Sequence, residues 1–291
     1  MSGLKHLRNR VKSIKSTQKI TKAMHVVSAA KLKKLKDQAE NINDYSSVLG
    51  TIMYDISASG NLMDLPAEDR KFFSKELENM PHLLIVMTSE RGLCGSFNSN
   101  TIKRVKLDIK KLNADGKEVK LLVIGKKGID ALKNEFGKQI VGYYHVSQGN
   151  YESVAREAKD KIMELIESEK VGACYIYYNK FKNAMTQVMT REQILPVQVR
   201  TEGKISNASS EYEGDGLVYN VIILYIGGQI NYALIQSRAS EEGARMTAMD
   251  NATRNAGELI DKLTLQLNRS RQAIITTELT EIISGAESVV Y

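Results

Sequence analysis

The side chains best suited to bind a metal or attack a substrate are few: four histidines and two cysteines. His6, His25, His82 and His145 are scattered, and no two share a helical face with a cysteine or carboxylate at ligand spacing. Cys94 stands between Gly92 and Gly95, where a buried small side chain in a tight strand-to-helix turn accounts for it better than an exposed thiol does. Phosphate-cradling, dinucleotide, zinc-protease and serine-hydrolase fingerprints are all missing. The expectation is no catalytic, cofactor-binding or metal residue.

Gly125-Lys126-Lys127-Gly128 has the G-x-x-G form with which some modules clamp a nucleic-acid backbone. Such a loop joins two helices, whereas this one follows the apolar run 119–124 and leaves a strand. It reads as a strand-to-helix turn that needs small residues.

Charge is concentrated rather than spread. The net charge is +7, and residues 5–36 carry Lys5, Arg8, Arg10, Lys12, Lys15, Lys19, Lys22, Lys31, Lys33, Lys34 and Lys36 with no acid before Asp37. A solvated helix face, nucleic acid, anionic lipid or an acidic protein surface would each suit this arm. The first twenty residues lack a continuous apolar core, so a secretory signal is not expected and the two cysteines fit a reduced, intracellular setting. Residues 217–235 are the most apolar stretch, but polar and glycine interruptions argue against a membrane span.

Elements follow from the pattern. Leu4, Leu7, Val11, Ile14, Gln18, Thr21, His25, Ser28, Leu32, Leu35, Ala39 and Ile42 step by three and four, and the line extends through Tyr45, Leu49, Ile52 and Ile56. A helix over 3–57 would be roughly 80 Å long and needs a partner along its length. Met249, Ala252, Ala256, Leu259, Leu263, Leu267, Ser270 and Ile274 supply a second seam. Residues 217–238 suit a helix or, with their β-branched residues and Gly227-Gly228, a strand.

Between the ends, strands at 83–88, 119–124, 140–146 and 173–178 alternate with helices at 101–112, 128–136 and 152–166, and 185–189 adds an edge strand. This predicts an α/β fold: a long antiparallel coiled coil of N- and C-terminal helices with an inserted Rossmann-like parallel-sheet domain. The expected divisions are 1–65, 66–208 and 209–291. Excess length in the second helix leaves Ile274, Ile275, Leu279, Ile282, Ile283, Val289 and Val290 overhanging, which calls for a socket in another protein.

Three stretches carry a family resemblance. Ile14-Lys15-Ser16-Thr17-Gln18-Lys19-Ile20-Thr21-Lys22-Ala23-Met24, Ser89-Glu90-Arg91-Gly92-Leu93-Cys94-Gly95 and the run from Arg271-Gln272-Ala273-Ile274 to Glu281-Ile282 resemble the three signatures of gamma subunits of F-type rotary ATP synthases. Glu90 stands where that family usually has Asp, and 217–236 is richer in β-branched residues and glycine than its usual helix.

The resemblance implies a non-catalytic rotor that couples proton flow to ATP synthesis, with alpha and beta subunits around it, an epsilon-type subunit against the α/β domain and a c-subunit ring below. It implies that Lys22, Met24 and Lys31 face an acidic beta-subunit loop, and that Arg245, Gln272, Thr276 and Glu278 face the beta catch loops. Tyr212 and Glu213 would form the ring-facing foot, and Arg91, Gly92, Cys94 and Gly95 the family-motif turn. No cofactor and no nucleic acid are expected. Membrane association would come only through the complex, at the cytoplasmic face of a bacterial plasma (inner) membrane or, alternatively, the matrix side of the mitochondrial inner membrane. A nucleic-acid-binding protein and a Rossmann-type enzyme are the competing classes. The regular seam disfavours the first and the missing glycine fingerprint the second.

Overall fold

The computed structural model describes residues 2–58, 65–147, 150–197 and 216–289. In chain order come α1 (Ser2–Ala58), the four-residue α2 (Ala67–Arg70), β1 (His82–Met87), α3 (Phe97–Ala114), β2 (Val119–Ile124), α4 (Lys126–Phe136), β3 (Ile140–Tyr144), α5 (Tyr151–Glu167), β4 (Cys174–Phe181), β5 (Gln187–Leu195) and α6 (Leu217–Val289). They form two compact units, Met1–Ser28 with Met246–Tyr291, and Ala29–Arg245. The expected boundary at 208/209 lies outside the described residues.

In the first unit, α1 and α6 pair antiparallel. Val11, Ile260 and Leu263 form a buried cluster with Leu7 and Ile14 packed against it. Further along α1, and earlier along α6, the Gln18 side-chain amide donates to Thr253 O at 3.3 Å, and the Thr21 and Thr253 hydroxyls meet at 2.7 Å. Polar side chains inside a seam fix its register, because only one alignment pairs them. At this alignment the start of α1 lies opposite the region of Ser270. Beyond it α6 has no helix beside it among the described residues, and Ile275, Leu279, Ile282 and Ile283 are exposed by 47% to 68%.

In the second unit the sheet order is β3-β2-β1-β4-β5. The first four strands are parallel, and β5 runs antiparallel to β4 along its whole length. Alternate residues serve opposite faces. Leu84, Val86, Leu121, Val123, Tyr175 and Tyr177 pack on Val105 and Ile109 of α3 and Leu132 and Phe136 of α4. Leu83, Ile85, Met87, Leu122, Ile124, Ile176 and Tyr178 pack on α5, on Met53 and Ile56 of α1, and on Ile222, Ile226 and Ile230 of α6.

One open reading is resolved and two need correction. Residues 217–238 are helix, because their apolar groups, spaced at 222, 226, 230, 233 and 234, all reach the core. An 18-residue window of α6 is apolar enough to cross a membrane, yet 50% of it is buried in the fold. The edge strand is 187–195 rather than 185–189; its outward Arg191 and Glu192 mask the alternation, as charge commonly does on edges. The seam of α1 keeps a strict four-three alternation past Ile42, so Ser46 and Met53 are buried where Tyr45 and Ile52 were expected. Likewise Ile260, not Leu259, turns inward on α6.

Gly125-x-x-Gly128 is indeed a strand-to-helix turn. Gly125 has φ +100°, and a Cβ there would lie 2.1 Å from Thr88 O; one on Gly128 would lie 2.8 Å from the Thr88 hydroxyl. That hydroxyl accepts from Gly128 N at 2.8 Å. Gly125→Ala is expected to destabilise the chain by about 3 kcal/mol, combining backbone strain with overpacking. Denaturant titration of the two proteins measures it, and a loss under about 1 kcal/mol would refute the steric argument.

His82 begins β1 buried, stacked on Tyr175 at 5.7 Å, with Nε2 3.1 Å from Glu78 O. Burial foremost, and then the cations Lys117 and Arg191, push its pKa below 6.5, outweighing Glu78. The unfolded chain therefore takes up a proton that the folded chain resists, and stability falls as pH drops below 6.5. His82→Phe is expected to flatten this part of the stability profile. An unchanged slope would assign the acid loss to other groups.

Candidate functional site

In open α/β sheets, ligands sit beyond the carboxyl ends of the strands where successive connections diverge. Here that point lies between β1 and β4, since β1 is followed by β2 on one side and β3 by β4 on the other. α6 fills it. The Ser240 hydroxyl donates to Asn179 O at 2.8 Å, and Phe181 N donates to Gln236 Oε1 at 3.1 Å. Ala244 packs with Cys94 and Phe97. The seat that a dinucleotide takes in other sheets of this kind is occupied by the chain's own helix.

The motif turn forms the adjoining wall. Ser89 Oγ donates to Arg91 O at 2.6 Å, Asn98 Oδ1 accepts from Ser89 N at 3.0 Å, and Asn98 Nδ2 reaches Cys94 Sγ at 3.3 Å. These bonds hold Leu93 and Gly95 at positive φ and turn Cys94 inward. Burial raises the Cys94 thiol, with the Ser89 hydrogen bond opposing, so the sulfur behaves as packing rather than as a nucleophile. Arg91 and Gly95 stay exposed and Gly92 half-buried. Glu90, in the place of the usual Asp, accepts from Val146 N at 2.7 Å and Lys126 N at 3.3 Å and lies 2.6 Å from His145 Nδ1. One carboxylate thereby ties together the turns that follow β1, β2 and β3.

Beside this wall is a buried ionic cluster. Arg245 bonds Glu241 and, at 2.9 Å, Glu242; Arg238 also bonds Glu241. Lys31 of α1 approaches Glu242 at 3.9 Å, and the Arg238 guanidinium lies 5.7 Å from the Tyr151 ring of α5. Burial works against the charge of Arg245, but the two carboxylates outweigh it and raise its pKa. Arg245 and Lys31, expected to face outward, are thus brought together on one internal carboxylate. Sequence reading missed Arg238, Glu241 and Glu242. The available signal was four charges within the eight residues 238–245, directly after a stretch, 217–237, that carries none.

The remaining expected residues lie in the other unit. Lys22 is exposed and Met24 half-buried on α1, while Gln272, Thr276 and Glu278 are exposed on α6. Hydroxyls of Thr276, Thr277 and Thr280 all donate to the carbonyl four residues back, at 2.9, 3.0 and 2.8 Å. Tyr212 and Glu213 lie outside the described residues. Among the described residues no three His, Cys, Asp or Glu side chains converge as a metal site.

An antiparallel helix pair with a bare apolar end, and an inserted α/β domain whose ligand seat is taken by its own helix, define a protein built to be gripped by other proteins. The comparisons make this specific. A family model described as ATP synthase matches residues 3–289. The chain is 54% identical to the ATP synthase gamma chain of Rickettsia felis and 55% identical to that of Rickettsia akari, each over 99% of this chain and 100% of the relative. Its fold is similar to a chain in the OSCP/F1/c-ring structure of Euglena gracilis mitochondrial ATP synthase (TM-score 0.69, 16% identity, 99% of this chain and 95% of that one). It is also similar to a chain in the rotor structure of the same enzyme (TM-score 0.65, 17% identity, 94% and 99%). The chain belongs to the ATP synthase gamma chain family.

Removing one partner from a buried ion cluster strands the others. Glu241→Gln leaves Arg238 and Arg245 short of a counter-charge and is expected to lower stability by about 3 kcal/mol, against under 1 for the exposed Asp250→Asn. Denaturation midpoints of both variants test this, and equal effects would mean that the cluster is solvated.

Proposed function

We propose that the chain is the rotating central shaft of a bacterial F-type ATP synthase, carrying torque between a proton-driven membrane ring and a catalytic ring. The observation that carries this reading is the apolar end of α6, with Ile275, Leu279, Ile282 and Ile283 exposed on a helix that has lost its partner. A surface of that kind self-associates unless another protein sheathes it. A sleeve of alternating alpha and beta subunits meets the need, and because its contacts with the tip are apolar, few directional bonds oppose turning.

Shaft asymmetry then supplies the mechanism. Each orientation offers different contacts to three equivalent catalytic subunits and biases each toward a different nucleotide affinity. Lys22 and Met24 face an acidic beta-subunit loop, and Gln272, Thr276 and Glu278 face the catch loops. Arg245 and Lys31 act at that interface by exchanging their internal carboxylates for those of a beta subunit. Arg91, exposed on the motif turn, is a further contact. In functional terms the chain divides into an N-terminal helix (1–65), an α/β domain (66–208) that receives an epsilon-type subunit, and a C-terminal helix (209–291) preceded by a foot, Tyr212 and Glu213, on the c-subunit ring. The Rickettsia relatives favour the cytoplasmic face of the bacterial inner membrane over a mitochondrial one.

The test is assembly with alpha and beta subunits followed by single-molecule observation of ATP-driven rotation. Rotation of a probe on the chain is the expected result; a stoichiometric complex that hydrolyses ATP while the probe stays fixed would defeat the reading. A stop after Glu281 is expected to lower complex stability yet leave rotation detectable, since pairing of Val11 with Ile260 and Leu263 still supports the shaft. Assembled complexes that never turn would instead make the tip a transmitter of torque.

A further inference from the structure

β4 outruns its neighbour. Its last partner on β1 is Val86, opposite Tyr177, so Asn179 and Phe181 continue past the end of that ladder. α6 supplies the missing bonds through Ser240 to Asn179 O and Gln236 from Phe181 N. Gln236 and Ser240 are one helical turn apart on the same face, and the two backbone groups are two residues apart on β4, so the pairs match in spacing and direction. The connection goes deeper. Asn179 Nδ2 donates to Thr101 Oγ1 at 2.9 Å, and Thr101 Oγ1 donates to Phe97 O of α3 at 3.2 Å. Gln236, Ser240, Asn179 and Thr101 are all buried.

Apart from Tyr232, whose ring meets Tyr178 of β4 edge-on, most of what else α6 places against the sheet is of a different kind. Ile222, Ile226, Ile230, Ala233 and Leu234 hold it by apolar burial, which resists separation and selects the inward face but tolerates small changes of angle. Hydrogen bonds are directional and fix an angle about the helix axis as well as a position along it. Buried polar groups need such partners, so a turn of α6 on its axis would break both bonds where water cannot replace them.

We infer that Gln236 and Ser240 are positioning residues that key α6 rotationally to the α/β domain, making this crossing the point where torque passes between sheet and shaft. The inference rests on the rotor reading above. It gives the occupied ligand seat a use: the sheet recognises a helix there, and does so angularly.

The experiment uses the assembled complex, immobilised through its catalytic subunits, with a probe on a cysteine replacing the exposed Lys103 of α3. Angular fluctuation of the probe is recorded during nucleotide-limited pauses, together with the thermal midpoint of the complex. Gln236→Leu with Ser240→Ala is expected to widen the angular variance about two-fold through loss of both directional links, while ATP hydrolysis without load is little changed. Gln236→Glu, which keeps the acceptor, combined with native Ser240 is expected to restore the narrow distribution. A lowered midpoint with unchanged variance would mean that the bonds only stabilise, and overturns the inference. Should the double variant fail to assemble, Ser240→Ala alone is read by the same criterion. If the probe on otherwise native complex does not rotate at all, the rotor reading fails instead.

Discussion

Two backbone groups at the end of β4 have no strand on their β1 side, and an unsatisfied buried amide or carbonyl costs too much to leave. Much else in this unit follows from how that need is met. Because α6 meets it with side chains, the helix must cross the sheet at one height and one angle. That crossing brings Ala244 against Cys94 and Phe97, sets the ionic cluster beside the motif turn, and brings Gly228 so near α1 that an added Cβ would fall 2.8 Å from Leu49. Of the glycine pair that made this stretch resemble a strand, Gly228 thus serves a close approach of α6 to α1.

Much of this was legible in advance. Alternation of short apolar runs with amphipathic stretches located β1 to β4 and α3 to α5, because a sheet covered on both faces leaves few readings of such a pattern. Seam positions on α1 were readable up to Ile42. They failed at Tyr45 because hydrophobicity alone favours Tyr over Ser, whereas spacing buries Ser46. Residues 217–238 were ambiguous for a related reason. A helix buried on most sides loses its polar stripe, and β-branched residues then point equally to a strand. Among site residues, exposed Lys22, Gln272, Thr276 and Glu278 could be named only through family motifs, since nothing in an isolated exposed side chain declares a partner. The internal pairing of Arg245 and Lys31 through Glu242 depends on three residues far apart in sequence and is invisible without the fold.

The two long helices solve opposite electrostatic problems. Near residue 241 the helix is enclosed, and its charges survive because each has an opposite charge within bonding distance. Along α1 the basic arm has few acids beside it in its own sequence, so its charge is free to meet another molecule's. One helix thus carries charge that is settled internally, the other charge that remains available.

At the far end of α6, three threonine hydroxyls donate to carbonyls of their own helix. Counted by composition these residues are polar, yet what they turn outward is largely methyl. With these donors already engaged inside the helix, the directional demands of this stretch fall to the exposed Gln272 and Glu278, and the threonines set a smooth spacing between them.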